Sequence, residues 1–385
     1  MKKYRSNKIF IVSGSRAEIG ILSNLISKYK KNKLTLILTG QHLDRNYQNL
    51  FDLYDKKLIK TKFIDIKLKD SEPTSILNSI SIGVSKFGKL FNKYKPKIVI
   101  ILGDRYELLS VAVAAYFSNT KIAHIHGGEK TIGSMDDTIR HVITKFSNLH
   151  FVSNKIYKNR VIQLGEDPKT IFNVGGLSAE RIKNFKPLKK NQLGKILDIK
   201  FDKFNFTITI NSFFEKSIST SKAVNNLLLA LKKQKNTNLF FTSSNSDLKS
   251  DQINKLITNF CKKNKNSYFF YNLGYKNYLS LLSKCDLCIG NSSSGVLEAP
   301  SLKIATINLG TRQTGRIKSD SIIDSDYQYE NILSAIKKSK SRNFQKKLML
   351  SNNPIYRKNT ATNIKKIISS NLNRKVLLKS FYDLN

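Results

Sequence analysis

The chain of 385 residues has few cysteines, and this shortage excludes a structural zinc site of the usual kind. One closely spaced pair exists, Cys285 and Cys288, but no second pair is present to complete a four-ligand site. The pair lies in the apolar segment KCDLCIG (284–290). We therefore expect both thiols to be buried in the manner of small hydrophobic side chains.

Long apolar runs are also missing. The two longest, 97–103 and 108–117, are each too short to span a bilayer. The first residues, MKKYRSNKIFIVSG (1–14), lack the apolar core and the small-residue cleavage site of a signal peptide. We therefore expect a soluble cytoplasmic protein that has no membrane partner.

Acidic residues are scarce, since 27 Asp and Glu stand against 67 Lys and Arg and give a formal net charge of +40. Such a charge is typical of proteins that bind nucleic acids. The lysines, however, are spread along the whole chain, and no zinc-finger, RNP-like or basic-zipper pattern is present. We predict no nucleic-acid partner, although a basic surface would attract a nucleotide diphosphate.

Short β-rich runs alternate with helical stretches, and this alternation predicts an α/β protein with parallel sheets. The polar, punctuated segment 184–195 is typical of a linker. It divides a first lobe (1–184) from a second lobe (196–385), which ends in a helix predicted over about 355–371. We expect two Rossmann-like lobes, with ligands bound in the cleft between them at the carboxyl ends of the strands.

Two polar motifs follow early strands, although neither is a Walker A loop or a GxGxxG fingerprint. GSRAEIG (14–20) places Arg16 beside a predicted helix N-terminus, where it could meet an anion. A structural turn would explain this motif equally well. GDRYE (103–107) places Asp104 and Arg105 at the end of a buried strand, either as an internal ion pair or as part of a site.

A third motif, HIHGGEKTIGSMDDTIRH (124–141), is rich in titratable side chains. His124 and His126 are expected on one face of a strand and could begin a metal site with Glu129 and Asp136. Two glycines break this strand, however, and nothing fixes a coordination geometry. We favour acid–base chemistry by Glu129 and Asp136, against the plainer interpretation that Asp136 only begins a helix.

The second lobe has two further motifs after predicted strands. In GNSSSGVLEAPS (290–301), the hydroxyls of Ser292 and Ser293 and the nearby backbone N–H groups could hold a diphosphate. Glu298, one helical turn later, could accept both ribose hydroxyls.

The second of these motifs, NLGTRQTGR (308–316), adds Arg312 and Arg316 as candidate phosphate contacts. A solvent-facing basic loop is the alternative there.

Eight segments in order resemble the hydrolysing UDP-N-acetylglucosamine 2-epimerases of bacterial sialic- and legionaminic-acid pathways. They are GSRAE, TGQHLD, LGDRYE, HIHGGEKT, DDTIRHVITKFSNLHF, RVIQLGEDP, GNSSSGVLEAPS and TINLGTRQTGR. The resemblance implies a glycosyltransferase-B-like fold and conversion of UDP-GlcNAc to ManNAc and UDP, without a metal or other cofactor. In this reaction UDP is eliminated to leave a glucal-type intermediate, and water then adds with inversion at C2. A UDP-2,4-diacetamido sugar, UDP-N,N'-diacetylbacillosamine, is the alternative substrate.

The resemblance also assigns residues by motif position. Those that would hold UDP are Arg16, Arg105, Ser292, Ser293, Glu298 and Arg312. Those that would surround the sugar as catalytic residues are Asp104, His126, Glu129 and Asp136, and Glu180 matches a further acidic position. Some relatives read HIE where this chain reads HIH. As partners we expect the UDP-sugar and further copies of the chain in a homo-oligomer.

One departure from the family pattern concerns proton transfer. The family usually carries a histidine after the first strand of the second lobe, whereas this chain has Asn211 there. Asparagine cannot shuttle a proton near neutral pH, so another group, such as His42, would have to substitute. Two other functions stay open: a UDP-sugar-binding protein whose catalysis is impaired, and a glycosyltransferase, which would leave the HIHGGE cluster unexplained.

Overall fold

Alternating apolar runs and amphipathic stretches form two parallel sheets in the structure, a computed structural model. It describes residues 8–30, 33–43, 60–68, 72–131, 135–213, 215, 217–244, 250–374 and 379–384. Nearly all strands are buried on both faces, as their unbroken Ile, Val, Leu and Phe content predicts for parallel sheets with helices on either side.

The first sheet has seven parallel strands within the described ranges, in the order β3-β2-β1-β4-β5-β6-β7. Its strands are β1 Ile9–Ser13, β2 Leu34–Thr39, β3 Lys60–Ile64, β4 Ile98–Leu102, β5 Lys121–Ile125, β6 Leu149–Val152 and β7 Ile171–Asn173. Its helices are α1 Arg16–Ile26, α2 Pro73–Tyr94, α3 Tyr106–Phe117, α4 Met135–Phe146, α5 Lys155–Gln163 and α6 Leu177–Lys183.

The second sheet has six parallel strands in the same described part of the chain, in the order β10-β9-β8-β11-β12-β13. Its strands are β8 Phe204–Thr209, β9 Thr237–Thr242, β10 Ser267–Phe270, β11 Leu287–Gly290, β12 Ala305–Leu309 and β13 Ile322–Ser325. The helices that follow α6 are α7 Lys190–Leu197, α8 Thr220–Lys232, α9 Ser250–Lys263, α10 Gly274–Leu282, α11 Ser293–Leu297, α12 Tyr329–Ser339, α13 Arg342–Leu350 and α14 Thr360–Asn371. The predicted fold class, two Rossmann-like α/β sheets, is confirmed.

The chain divides into one unit of residues 1–181 with 357–385 and a second unit of residues 182–356. The predicted division at 184–196 lies close to the boundary at residues 181–182, where the chain passes from the first unit to the second. The C-terminal helix, however, belongs to the first unit rather than the second. Ile364 and Ile368 of α14 are fully buried in the apolar cluster of α1 and the first sheet. This burial, which the sequence does not reveal, returns the chain end to the first unit.

A buried carboxylate links the C-terminal helix α14 to the rest of the first unit. Glu180 of α6 accepts hydrogen bonds from Asn24 Nδ2 of α1 at 2.8 Å and from the backbone N–H of Ala361 at 2.9 Å. Ala361 lies in the first turn of α14, where backbone donors have no partner within the helix and negative charge is favourable. Glu180 thus has a structural task that accounts for its burial, and its catalytic role stays a prediction.

Two strands, β3 and β13, are not predicted from the sequence because they lie at sheet edges. β3 has a lysine at alternate positions and is half-exposed, and β13 is short and carries an aspartate. Neither segment has the apolar run that identifies central strands. The predicted linker at 184–195 also contains the start of α7, whose Leu193 is fully buried in an apolar cluster.

Cys285 and Cys288 are both buried in apolar clusters, as expected. Burial raises the pKa of the Cys288 thiol to about 11, so this group stays protonated. No helix in the described ranges is long and apolar enough to cross a membrane.

Glu166 is the centre of a second buried charge cluster in the first unit, and only 1% of its side chain is exposed. Its carboxylate is paired with His150 Nε2 of β6 at 3.0 Å, Lys145 Nζ of α4 at 2.8 Å and Lys379 Nζ at 2.6 Å. Lys379 also donates to the carbonyls of Lys145 and Ser147 at the end of α4. Burial alone would raise the pKa of Glu166, but these partners lower it to about 2.

Replacing Glu166 with Gln should flatten the dependence of the unfolding free energy on pH in acid. Because the pKa is depressed in the folded state, the ionised carboxylate stabilises the fold above its usual pKa of 4.5, and this contribution is lost as the pH falls toward about 2. The expected loss is about 3 kcal/mol in wild type, measured by urea unfolding at a series of acid pH values. Asp65→Asn, at an exposed pair with Lys67, is the matched control and should change the profile little. Identical slopes for wild type and Glu166→Gln would contradict this assignment.

Candidate functional site

Each sheet has a point where the strand order reverses, between β1 and β4 in the first and between β8 and β11 in the second. Open parallel sheets bind ligands at the carboxyl ends of the strands beside such a point. Most of the predicted site residues of each unit lie on loops or first helical turns that follow these strands or their neighbours, and the exceptions are Glu180, after the edge strand β7, and Glu298, at the end of α11.

Arg140 of α4, which is not among the predicted site residues, links this helix to the loop after β4. Arg140 is almost fully buried, donates from Nη2 to Asp104 Oδ2, and also contacts Thr131 Oγ1 at 3.1 Å. Its Nη1 lies 3.4 Å from Asp137 Oδ1. Asp104 keeps 22% of its side chain exposed, so its carboxylate is oriented by Arg140 and still reaches the surface.

Arg105 and Glu107 form a side-on ion pair beside Asp104. Arg105 Nε donates to both carboxylate oxygens of Glu107 at 3.1–3.2 Å, and Nη2 donates to Oε1 at 3.0 Å. Glu107 is fully buried, while 29% of the Arg105 side chain is exposed. The guanidinium is thus anchored on one edge, and its remaining surface is directed away from Glu107.

A second buried carboxylate, Glu18, lies near this pair. Its Oε2 accepts a hydrogen bond from the backbone N–H of Gly14 at 2.7 Å, and Ser13 Oγ lies 3.4 Å away. Burial, followed by repulsion from Glu107, raises the pKa of Glu18 to about 7. His42, the residue predicted as a possible substitute for the family histidine, belongs to this cluster, because its Nε2 lies 2.9 Å from Ser13 Oγ.

The expectation that His124 and His126 share a strand face is wrong. β5 ends at Ile125, and His126 has a left-handed backbone with φ of +69°. His124 is fully buried, with Nε2 at 2.7 Å from the Gly103 carbonyl and Nδ1 at 3.2 Å from Thr144 Oγ1. Burial lowers the pKa of His124 to about 3, so it is a neutral structural residue.

His126 has the geometry of a proton-transfer group. Its Nδ1 lies 3.0 Å from Glu129 Oε1, and its Nε2 is buried with no hydrogen-bond partner among the described residues. A left-handed backbone is uncommon for a residue other than glycine, and such conformations concentrate at functional sites. The carboxylate of Glu129 can orient the ring through Nδ1.

The remaining first-unit predictions have mixed outcomes. Asp136 lies in the first turn of α4, is half-buried and acts electrostatically on Tyr106, whose pKa is raised to about 12 chiefly by burial. The side chain of Arg16 lies outside the described residues, so its predicted contact with UDP stays a prediction. In the described residues, no three His, Cys, Asp or Glu side chains are grouped so as to hold a metal ion.

In the second unit, Asn291 joins the loops after β8 and β11. Its Oδ1 accepts from the backbone N–H of Asn211 at 2.7 Å, and its Nδ2 donates to the Asn211 carbonyl at 2.8 Å and to Tyr327 Oη at 3.1 Å. At Gly290, a side chain would collide with the Thr209 carbonyl, so these loops approach as closely as backbone allows. Asn211 is therefore held at the strand-order reversal of the second sheet.

The serine loop begins α11 as predicted. Ser292 is its N-cap and accepts from the N–H of Ser294 at 3.3 Å, while Ser293 is half-buried at the first helical position. Ser294 Oγ lies 2.5 Å from both Glu298 Oε2 and Tyr278 Oη. Because α11 has only five residues, its dipole is small, so the predicted diphosphate would be bound mainly by the serine hydroxyls and the backbone N–H groups.

Arg312 lies on the loop after β12, as predicted, and approaches the loop after β11. Its Nη1 lies 3.4 Å from the carbonyl oxygen of Asn291, which also accepts from Gln313 Nε2 at 2.9 Å. Arg316 has buried Nε and Nη1 atoms without a hydrogen-bond partner in the described part of the chain. A buried guanidinium whose donors have no partner within the described residues would be stabilised by an anionic ligand.

Four residues of the site were missed from sequence: Glu18, Glu107, Arg140 and Asn291. All four stand inside motifs that the sequence singled out. The sequence does not show which side chains contact one another. A buried acid cannot be distinguished from a surface acid in the sequence, because its burial depends on an arginine or a loop that is distant along the chain.

Comparison with known proteins gives the family. A model described as UDP-N-acetylglucosamine 2-epimerase matches residues 25–369. A Campylobacter jejuni protein named GDP/UDP-N,N'-diacetylbacillosamine 2-epimerase (hydrolyzing) is 41% identical over 342 residues, 88% of each chain. The Escherichia coli polysialic acid biosynthesis protein P7 is 38% identical over 386 residues, covering 98% of this chain and 97% of that protein.

Among solved structures, the S. aureus MnaA–UDP co-structure is similar in fold, with a TM-score of 0.77 over 98% of this chain and all of that one. Its sequence identity is 16%, so this likeness concerns the fold alone.

Gly40→Ala should lower the unfolding free energy by about 2 kcal/mol or more, because it adds a clash to an unfavourable backbone. Gly40 has φ of +58°, and a Cβ would lie 2.8 Å from Glu107 Oε1. Gly88→Ala is the matched control, since nothing lies within 4 Å of its Cβ position in α2, and it should stabilise by up to about 1 kcal/mol. Urea unfolding measures both, and equal effects at the two glycines would contradict the packing described here.

Proposed function

The chain belongs to the UDP-N-acetylglucosamine 2-epimerase family, and on that premise we propose that it is a hydrolysing epimerase that converts UDP-GlcNAc to ManNAc and UDP. The observation that carries the proposal is the buried His126–Glu129 pair, in which His126 Nε2 has no hydrogen-bond partner among the described residues. Elimination of UDP requires a base for the C2 proton and relief of charge on the leaving diphosphate, and the addition of water requires an acid and a base.

We assign proton transfer to His126, which Glu129 orients through Nδ1. Asp104 and Asp136, which are partly exposed beside the same strand ends, complete the set around the sugar. This assignment offers a substitute for the histidine that Asn211 replaces. His42, whose Nε2 lies 2.9 Å from Ser13 Oγ, is the second candidate.

Arg16, Arg105, Ser292, Ser293, Glu298 and Arg312 make up the proposed UDP site. Arginine and hydroxyl donors neutralise the charge that develops on the leaving diphosphate, and Glu298 accepts from ribose hydroxyls. No residue in this set requires a metal or a cofactor for the proposed reaction. A cytoplasmic location and a homo-oligomer stay predictions.

The second candidate substrate is a UDP-2,4-diacetamido sugar, and the 41%-identical C. jejuni relative named for diacetylbacillosamine favours it. The E. coli relative named for polysialic acid biosynthesis favours UDP-GlcNAc and a ManNAc product used for sialic acid. Both substrates undergo the same inversion at C2, so the assignment of proton-transfer residues is the same for either.

The first measurement is incubation of the purified protein with UDP-GlcNAc in the presence of a chelator, followed by proton NMR. Release of UDP together with ManNAc supports the proposal. Release of UDP only from the 2,4-diacetamido sugar selects the second candidate. Binding of UDP without release from either sugar would replace the proposal with a UDP-sugar-binding protein.

His126→Asn and Asp136→Asn should each lower turnover by about 100-fold or more while UDP affinity changes little, because both remove a proton-transfer group. Asparagine tolerates the left-handed backbone at position 126, so the fold should survive. His124→Asn is the control at the neighbouring structural histidine and should lower stability rather than turnover. A comparable loss of UDP affinity in the His126 and Asp136 variants would overturn their assignment to the sugar.

A further inference from the structure

Glu107 is a fully buried acid that no part of the proposed reaction uses. It lies in the first turn of α3, and its carboxylate takes the Nε and Nη2 donors of Arg105 at 3.0–3.2 Å. A side-on pair of this type fixes the plane of a guanidinium, whereas a single contact lets it rotate.

The backbone around Glu107 is shaped to admit its carboxylate. A Cβ on Gly40, in the loop after β2, would lie 2.8 Å from Glu107 Oε1, and one on Gly14, in the loop after β1, would lie 3.4 Å from its Cδ. The acid thus fills the space between three loops at the strand-order reversal of the first sheet. A side chain at position 40 would displace the carboxylate, whereas a Cβ at position 14 would lie at ordinary contact distance from it.

Stability alone is a poor explanation for this arrangement. A buried ion pair gains little net free energy over well-packed apolar groups, because both charges lose their hydration. Glu18 brings a further carboxylate close to Glu107, and the two repel each other. An arrangement that crowds two acids beneath one arginine costs free energy, and it leaves that arginine with a defined orientation.

From this geometry we propose that Glu107 is a positioning residue that acts through Arg105: it holds the guanidinium by the Nε–Nη2 edge so that its outer part meets the diphosphate of the nucleotide sugar. This inference rests on the proposed function, in which Arg105 contacts UDP. Arg105 is partly exposed, as a group that receives a ligand from outside must be. Glu107 itself touches no substrate.

The test is a double-mutant cycle on UDP affinity, measured by isothermal titration calorimetry with Arg105→Ala, Glu107→Gln and the double variant. Glu107→Gln keeps the shape of the side chain and removes its charge, and it should weaken UDP binding about tenfold, as expected for the loss of one oriented charge-assisted contact. The double variant should bind UDP no more weakly than Arg105→Ala alone, because the acid acts only through the arginine. Additive losses, or unchanged affinity in Glu107→Gln, would overturn the inference.

Two further variants keep the result interpretable. Glu166→Gln removes a buried, ion-paired glutamate of the same unit outside the proposed site, and it should leave UDP affinity unchanged whatever it does to stability. If Glu107→Gln does not fold, Glu107→Asp replaces it, since it keeps the charge but withdraws the carboxylate by one methylene. It should still weaken UDP binding, and wild-type affinity in that variant would contradict a positioning role.

The two proposals fail in distinguishable ways. If wild type does not bind UDP, the proposed function fails. If wild type binds and turns over the UDP-sugar but the Glu107 variants bind UDP normally, only the positioning role fails.

Discussion

Pairing of buried ionised side chains at the carboxyl edge of the first sheet is the constraint on which the site depends. Parallel strands bring the loops after β1, β2, β4 and β5 to one edge, so residues distant in sequence become neighbours there. An unpaired charge at such a position is costly, and two of the acids there are paired with arginines. Arg105 serves Glu107 and Arg140 serves Asp104, and these pairs fix the directions of the groups that a substrate would meet.

The scarcity of acidic residues makes their placement informative. Five glutamates are buried in the described residues: Glu18, Glu107, Glu129, Glu166 and Glu180. Two of them, Glu166 and Glu180, tie the C-terminal residues to the first unit, through Lys379 and through the N-terminus of α14. The other three surround the strand ends. The five buried glutamates thus contribute to the packing of the chain end and to the shape of the candidate site.

Asn211 stands where the family usually has a histidine, and an asparagine cannot transfer a proton near neutral pH. Asn211 is held through its backbone by Asn291, which suits a role in shaping the loops of the second unit. His126, in contrast, has a left-handed backbone and is paired with Glu129, and its buried Nε2 has no hydrogen-bond partner among the described residues. A histidine oriented by a carboxylate is a common acid–base arrangement, so the chemistry that the family requires has a candidate within the first unit.

The sequence by itself determined the two α/β sheets, the central strands and the loops that carry polar motifs, because apolar runs and helical periodicity are local properties. It also placed Asp104, Arg105, Ser292 and Arg312 at strand ends, since a motif after a strand fixes its position along the chain. Only the tertiary structure decided which charges pair and where the last helix packs. Those outcomes depend on contacts between distant segments, such as Glu180 with Ala361, and no periodicity records them. The same reason explains His124 and His126: their spacing predicts one face, but the turn at His126 sends the two rings to different partners.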